Sequence, residues 1–205
     1  MIDHPGFWII VFLLVAVPAC SYAAKWILRP KFDVRAAEFA METVEALPTV
    51  SLAALLRDPP RLDADLVAAA CARAWGGTFN HSEHDVRFVM GEPPVLMIRD
   101  ARLYYMLNTG DEPYLDNRES NLAQVDDAAL RRAAYEHRGW ISMDFLEEAG
   151  GDDELRETAR ANIARLIGEL LPELTPLAVI VPAEDRALGW SEELGKRLRE
   201  GRLDA

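Results

Sequence analysis

Apolar residues follow two regimes along this chain. Residues 7–24 contain no Asp, Glu, Lys, Arg or His, whereas from residue 50 onward apolar positions recur as short runs and spaced stripes. Runs of four to eight residues are of strand length, and stripes at three- and four-residue spacing are helical. Residues 50–56 form an apolar run that Asp58-Pro59-Pro60 stops. Asp63 then caps a helix through Trp75, which Gly76-Gly77 ends, with Cys71 as a small core residue among alanines. Residues 86–90 predict a strand broken by Gly91-Glu92-Pro93-Pro94, and 95–99 with 102–108 predict a hairpin around Asp100-Ala101. Leu103, Tyr105 and Leu107 alternate with Tyr104 and Met106, so both faces of that strand are apolar and a central position follows.

A long polar connection occupies residues 109–127. Asp126 or Asp127 caps the next helix, which runs to Arg138 with Gly139 as its stop. Residues 140–146 predict a strand, and 147–153 an acidic loop. Leu155, Ala159, Ile163, Leu166 and Leu170 lie on one stripe of a helix that Pro172 terminates. Residues 177–181 predict a buried strand, and Ser191 opens a last amphipathic helix carrying Leu194 and Leu198. Three successive strands argue against strict doubly wound alternation. The expectation is one α+β domain with a mixed β-sheet and helices packed mainly on one face.

The uncharged stretch before this domain has another purpose. Eighteen helical residues span about 27 Å, and extension to Leu28 past a snorkelling Lys25 gives about 33 Å, enough for a hydrocarbon core of about 30 Å. Trp8 and Trp26 sit near its ends, where indoles favour the interface, and Pro18 is tolerated as a kink. The chain then divides into a transmembrane anchor with a basic collar (1–35), a juxtamembrane helix or linker (36–48) and a soluble domain (49–205). Lys25, Arg29, Lys31 and Arg35 follow the span, while Asp3 and His4 precede it. The positive-inside rule therefore places the C-terminal domain in the cytoplasm of a single-pass membrane protein. Val17-Pro18-Ala19-Cys20 suggests the alternative of a lipoprotein modified at Cys20 and facing the periplasm, although no basic n-region precedes it.

Charge reinforces the division. The 205-residue chain carries 34 acidic and 22 basic side chains, for a net charge of −12. Residues 1–35 contribute +2 and residues 36–205 contribute −14. The collar suits anionic headgroups, and the acidic body is unsuited to nucleic acid. Two cysteines exclude a disulfide scaffold and a four-thiolate zinc site.

Few residues suggest chemistry. His81-Ser82-Glu83-His84-Asp85 is the densest set of metal-ligand types, so His81, His84 and Asp85 are candidate ligands for a divalent ion. They lie in a loop and lack the His-Glu-x-x-His helix of metalloproteases. Glu136, His137, Ser142 and Asp144 straddle a helix end and a strand and define a candidate pocket. Ser142 and Asp144, two apart, share a strand face. His137 falls on the helix face of Leu130 and Ala134, in a last turn where the helix dipole favours a cation. A triad of His137, Ser142 and Asp144 lacks a nucleophile elbow, and Glu92, Glu136 and Asp144 have no spacing that requires them to meet. No glycine-rich phosphate loop follows a strand, and the acidic loops lack EF-hand spacing, so no cofactor is expected.

Arg57-Asp58-Pro59-Pro60, Val89-Met90-Gly91-Glu92-Pro93-Pro94 and the stretch from Glu136 to Asp144 together resemble a family of uncharacterised bacterial domains over residues 50–200. That resemblance implies a self-contained domain and no activity. The expected function is a non-catalytic protein-interaction or regulatory role at the membrane, with lipid contacted through residues 7–28 and a protein partner contacted by the soluble domain. A metal-assisted hydrolase using His81, His84 and Asp85 is the alternative.

Overall fold

Six consecutive small or apolar residues of strand length form β1 (Ser51–Leu56), which is buried on both sides. The computed structural model describes residues 50–114, 127–146 and 153–203. Pro59 and Pro60 end β1, since proline donates nothing to a ladder. Helix α1 (Ala64–Trp75) starts where the Asp63 carboxylate accepts the Leu66 N–H at 2.8 Å, and it ends at Gly76, whose φ is 75°. Buried Val67, Ala70 and Cys71 face the sheet. Burial pushes the Cys71 thiol far up, so it is an unreactive core side chain.

A three-stranded meander follows: β2 (Arg87–Glu92), β3 (Val95–Asp100) and β4 (Leu103–Gly110). Gly91-Glu92-Pro93-Pro94 does not break the strand. The β2 ladder continues through Gly91↔Leu96 and Glu92↔Val95, and the two prolines make the hairpin turn. Gly91, at φ 102°, allows this, because a Cβ there would lie 2.7 Å from the Val95 carbonyl. The second hairpin turns as expected, with Ala101 at φ 54° in place of a glycine.

Helix α2 (Ala128–Glu136) begins at Asp127, which accepts the Ala129 and Leu130 N–H groups. Its last helical residue is Glu136, two before the expected Arg138, and Gly139 opens β5 (Gly139–Phe145) instead of stopping the helix. Helix α3 (Asp153–Leu170) passes into a short 3-10 turn at Pro172. Strand β6 (Pro176–Val181) follows, then β7 (Arg186–Gly189) and α4 (Glu192–Arg199), which Ser191 caps. Strand β7 has four residues and no apolar alternation, so no sequence signal predicted it.

The strands form one sheet in the order β2-β3-β4-β5-β1-β6-β7. Every ladder is antiparallel, which corrects the expectation of a mixed sheet. A helix between two strands is compatible with either direction, and only the edge and end to which the chain returns decides. Helices α1, α3 and α4 build the main core on one face, around Leu52, Leu56, Leu107 and Met143. Helix α2 covers part of the other face, packing Ala133 against Leu55 of β1 and Ala178 of β6. The expectation of helices mainly on one face therefore holds, and β4 is interior as expected.

No described helix is long and apolar enough to cross a membrane. The membrane span at 7–28 with Cys20, the juxtamembrane helix, much of the polar connection at 115–126 and most of the acidic loop at 147–152 lie outside the described residues.

Candidate functional site

The loop before β2 protects a sheet edge. The Asn80 N–H donates to the Arg87 carbonyl at 3.3 Å, and the Val89 N–H donates to the Asn80 carbonyl at 2.9 Å. His81 completes the clip: Nδ1 donates to the Val89 carbonyl and Nε2 faces Asp65 Oδ1, each at 2.9 Å. Both partners are acceptors, so the imidazolium is favoured, and the carbonyl and then the carboxylate raise the pKa. Edge strands need such cover against unwanted pairing. Asp85 accepts from Asn80 Nδ2 at 3.0 Å, and His84 is exposed. The candidate metal ligands are thus placed apart in their bonding, and no group of three His, Cys, Asp or Glu among the described residues could hold a metal ion.

His137 is fully buried and committed to the backbone. Its Nε2 accepts the Tyr114 N–H at 3.0 Å, so Nδ1 carries the proton and donates to the Ala134 carbonyl at 2.7 Å. The expected cationic complement to a helix dipole is instead a neutral ring tying the end of α2 to the segment after β4. Glu136 is exposed beside it. Asp144 lies five residues along β5 from Gly139, about 17 Å. Ser142 and Asp144 do come together, through a residue that the sequence did not single out. Asn108 on β4 donates Nδ2 to Asp144 Oδ2 at 3.0 Å and reaches Ser142 Oγ at 3.4 Å. Thirty-four and 36 residues separate these partners, so only the β4–β5 register unites them.

That trio sits on the sheet face opposite the main core. The pairs Met90↔Met97, Met97↔Met106 and Met106↔Asp144 form one row across four strands. All four side chains are half-buried, and Val95, which pairs with Asn108, is 36% exposed. At the end of the sheet Trp140 lies over Gly110, where a Cβ would overlap the indole, and it meets Tyr114 edge-on at 5.2 Å. Burial pushes the Asp144 carboxyl up to about 6, and the Asn108 amide offsets part of that. Among the described strand residues Arg99 is the cation on this face, and it is held elsewhere: it stacks 5.1 Å from the Tyr104 ring centroid and donates Nε to the Ala101 carbonyl at 2.8 Å. A depression lined by Val50, Arg160, Ile163 and Leu203 holds about 10 Å³, room for a single water.

This geometry presents an adaptable apolar row with one half-buried carboxylate at its end. Methionines suit such a surface because their unbranched thioethers repack at little cost. The chain matches no family model, no curated protein and no solved structure.

Proposed function

We propose that the domain is a non-catalytic protein-interaction module, held at the cytoplasmic side of a membrane by the span at 7–28. The observation that carries this reading is the β2–β4 half of the second sheet face. Helix α2 packs over β1, β6 and β7, and among the described residues no helix builds a core on the Met90, Met97 and Met106 side. An antiparallel sheet can leave one face to water, but a polar alternation then serves it best. Here the middle of that face is instead a row of three methionines with Phe88, Val95 and Tyr104 beside them, and methionine and aromatic residues are enriched at interfaces. The acidic body, −14 over residues 36–205, adds a preference for basic partners.

The test is site-specific photo-crosslinking in cells from residue 97, with Glu193 on α4 as the control position. A discrete adduct from residue 97, absent from the control and abolished by Met106→Glu, is the expected result. Equal adducts from both positions, or none from residue 97, would sink the reading.

A further inference from the structure

Resting on that interaction-module reading, we propose that the Asp144–Met106–Met97 row receives an amphipathic helix of a partner protein, with one partner Lys or Arg paired to Asp144. Three observations carry this. Among the described residues Asp144 has no cationic partner: one oxygen accepts from the neutral Asn108 amide, and the other bonds no described residue and is not fully buried. That oxygen therefore remains open to a donor. Glu92, Arg99 and Asp144 are the charged strand residues on this face. Arg99 is occupied by Tyr104, Ala101 and the Asp85 carbonyl, and Glu92 lies at the exposed end of β2.

Spacing selects a helix. The row advances by one strand separation per residue, about 4.8 Å. A helix advances about 5.4 Å per turn. A helix laid across the strands with a lysine at i therefore places apolar residues at i+3 or i+4 on Met106 and at i+7 on Met97. An extended peptide advances about 3.3 Å per residue and alternates faces, so it matches this row less well. Helix-in-groove recognition uses such i, i+4, i+7 anchors. A carboxylate at the end of a methionine row, with Met106 on one side and Ser51 on the other, favours a cation that itself carries apolar neighbours on the methionine side.

The probe is a labelled fifteen-residue peptide of alanine and glutamine with one lysine and leucines four, seven and eleven positions after it. Its low net charge limits non-specific attraction to the acidic body. Binding to the full chain in detergent micelles is followed by fluorescence anisotropy at pH 7.5. We expect saturable binding, about tenfold weaker or more for Asp144→Asn, and unchanged for Glu193→Gln. Replacing the peptide lysine by glutamate should abolish binding. Met97→Ser and Met106→Ser should weaken it, with thermal melts confirming that each variant is folded. Lowering the pH to about 5 should bring the wild-type chain to the affinity of Asp144→Asn. Equal binding of the lysine and glutamate peptides, or no effect of Asp144→Asn, would overturn the charge pairing. No binding by any peptide, or no effect of the two serine variants, would overturn the helix site, while crosslinking from residue 97 tests the interaction module separately.

Discussion

A half-buried carboxylate costs stability when it ionises, and the sign of that cost is testable. The folded-state value of Asp144, about 6, lies above its ordinary value of 3.8. Between those values the native state binds the extra proton, so stability from this group falls as pH rises and stays low above about 6. Asp144→Asn should therefore stabilise the fold by about 1–3 kcal/mol at pH 7.5 and change little near pH 4. Urea midpoints at the two pH values check this, and a destabilised variant at pH 7.5 would contradict it. His81 shifts stability with pH in the same direction for the opposite reason, since here the charged form is the favoured one. Its raised pKa stabilises the clip fully below the ordinary value of 6.5, and that contribution fades as pH rises through the folded value. The deficit of His81→Ala relative to wild type should be larger at pH 5.5 than at pH 8.5, with a remainder from the neutral ring's bond to the Val89 carbonyl.

At the scale of elements, the junction of α2 and β5 depends on a missing side chain. A Cβ on Gly139 would lie 2.7 Å from Pro59 Cα and 2.9 Å from the Asp58 carbonyl. Both are backbone atoms, so no rotamer change relieves the overlap. The Arg138 N–H donates to the Leu56 carbonyl here, and the Arg57 N–H donates to Thr175, so β1, β5 and β6 are all held at this end. Gly139→Ala should destabilise the domain by about 1–3 kcal/mol, read as a lowered melting temperature. An unchanged melt would mean that the loop of Asp58, Pro59 and Pro60 yields freely. The same close approach explains why Gly139 was misread from the sequence: a glycine after a helix signals a stop, and the packing reason for it lies 80 residues away in the chain.

For the whole molecule, the charge asymmetry around residues 7–28 predicts orientation. A fluorescent reporter fused after Ala205 should be active in the cytoplasm, and a reporter that works only outside should be silent there. The reverse pattern would revive the Cys20 lipoprotein and place any partner of the methionine face in the envelope. Residues Pro48–Ala205 form one unit by their internal packing, with the main core on one face and the smaller Leu55–Ala133–Ala178 cluster on the other.

Local chemistry made much of this fold legible. Asp63, Asp127 and Ser191 announce helix starts because each carboxylate or hydroxyl satisfies N–H groups within three residues. The stripe from Leu155 to Leu170 declares a helix face, and the run at residues 51–56 a buried strand, because burial imprints its period on composition. Strand direction, the edge strand β7, and the meeting of Asn108 with Ser142 and Asp144 were decided only by tertiary structure. Ladder partners are chosen by which ends of the sheet the connections join, a property of the whole chain path that no local window contains. The pairing potential of Asp144 is of that kind: two residues from Ser142 in sequence, it acquires its Met106 neighbour and its amide partner from a strand 36 or more positions away.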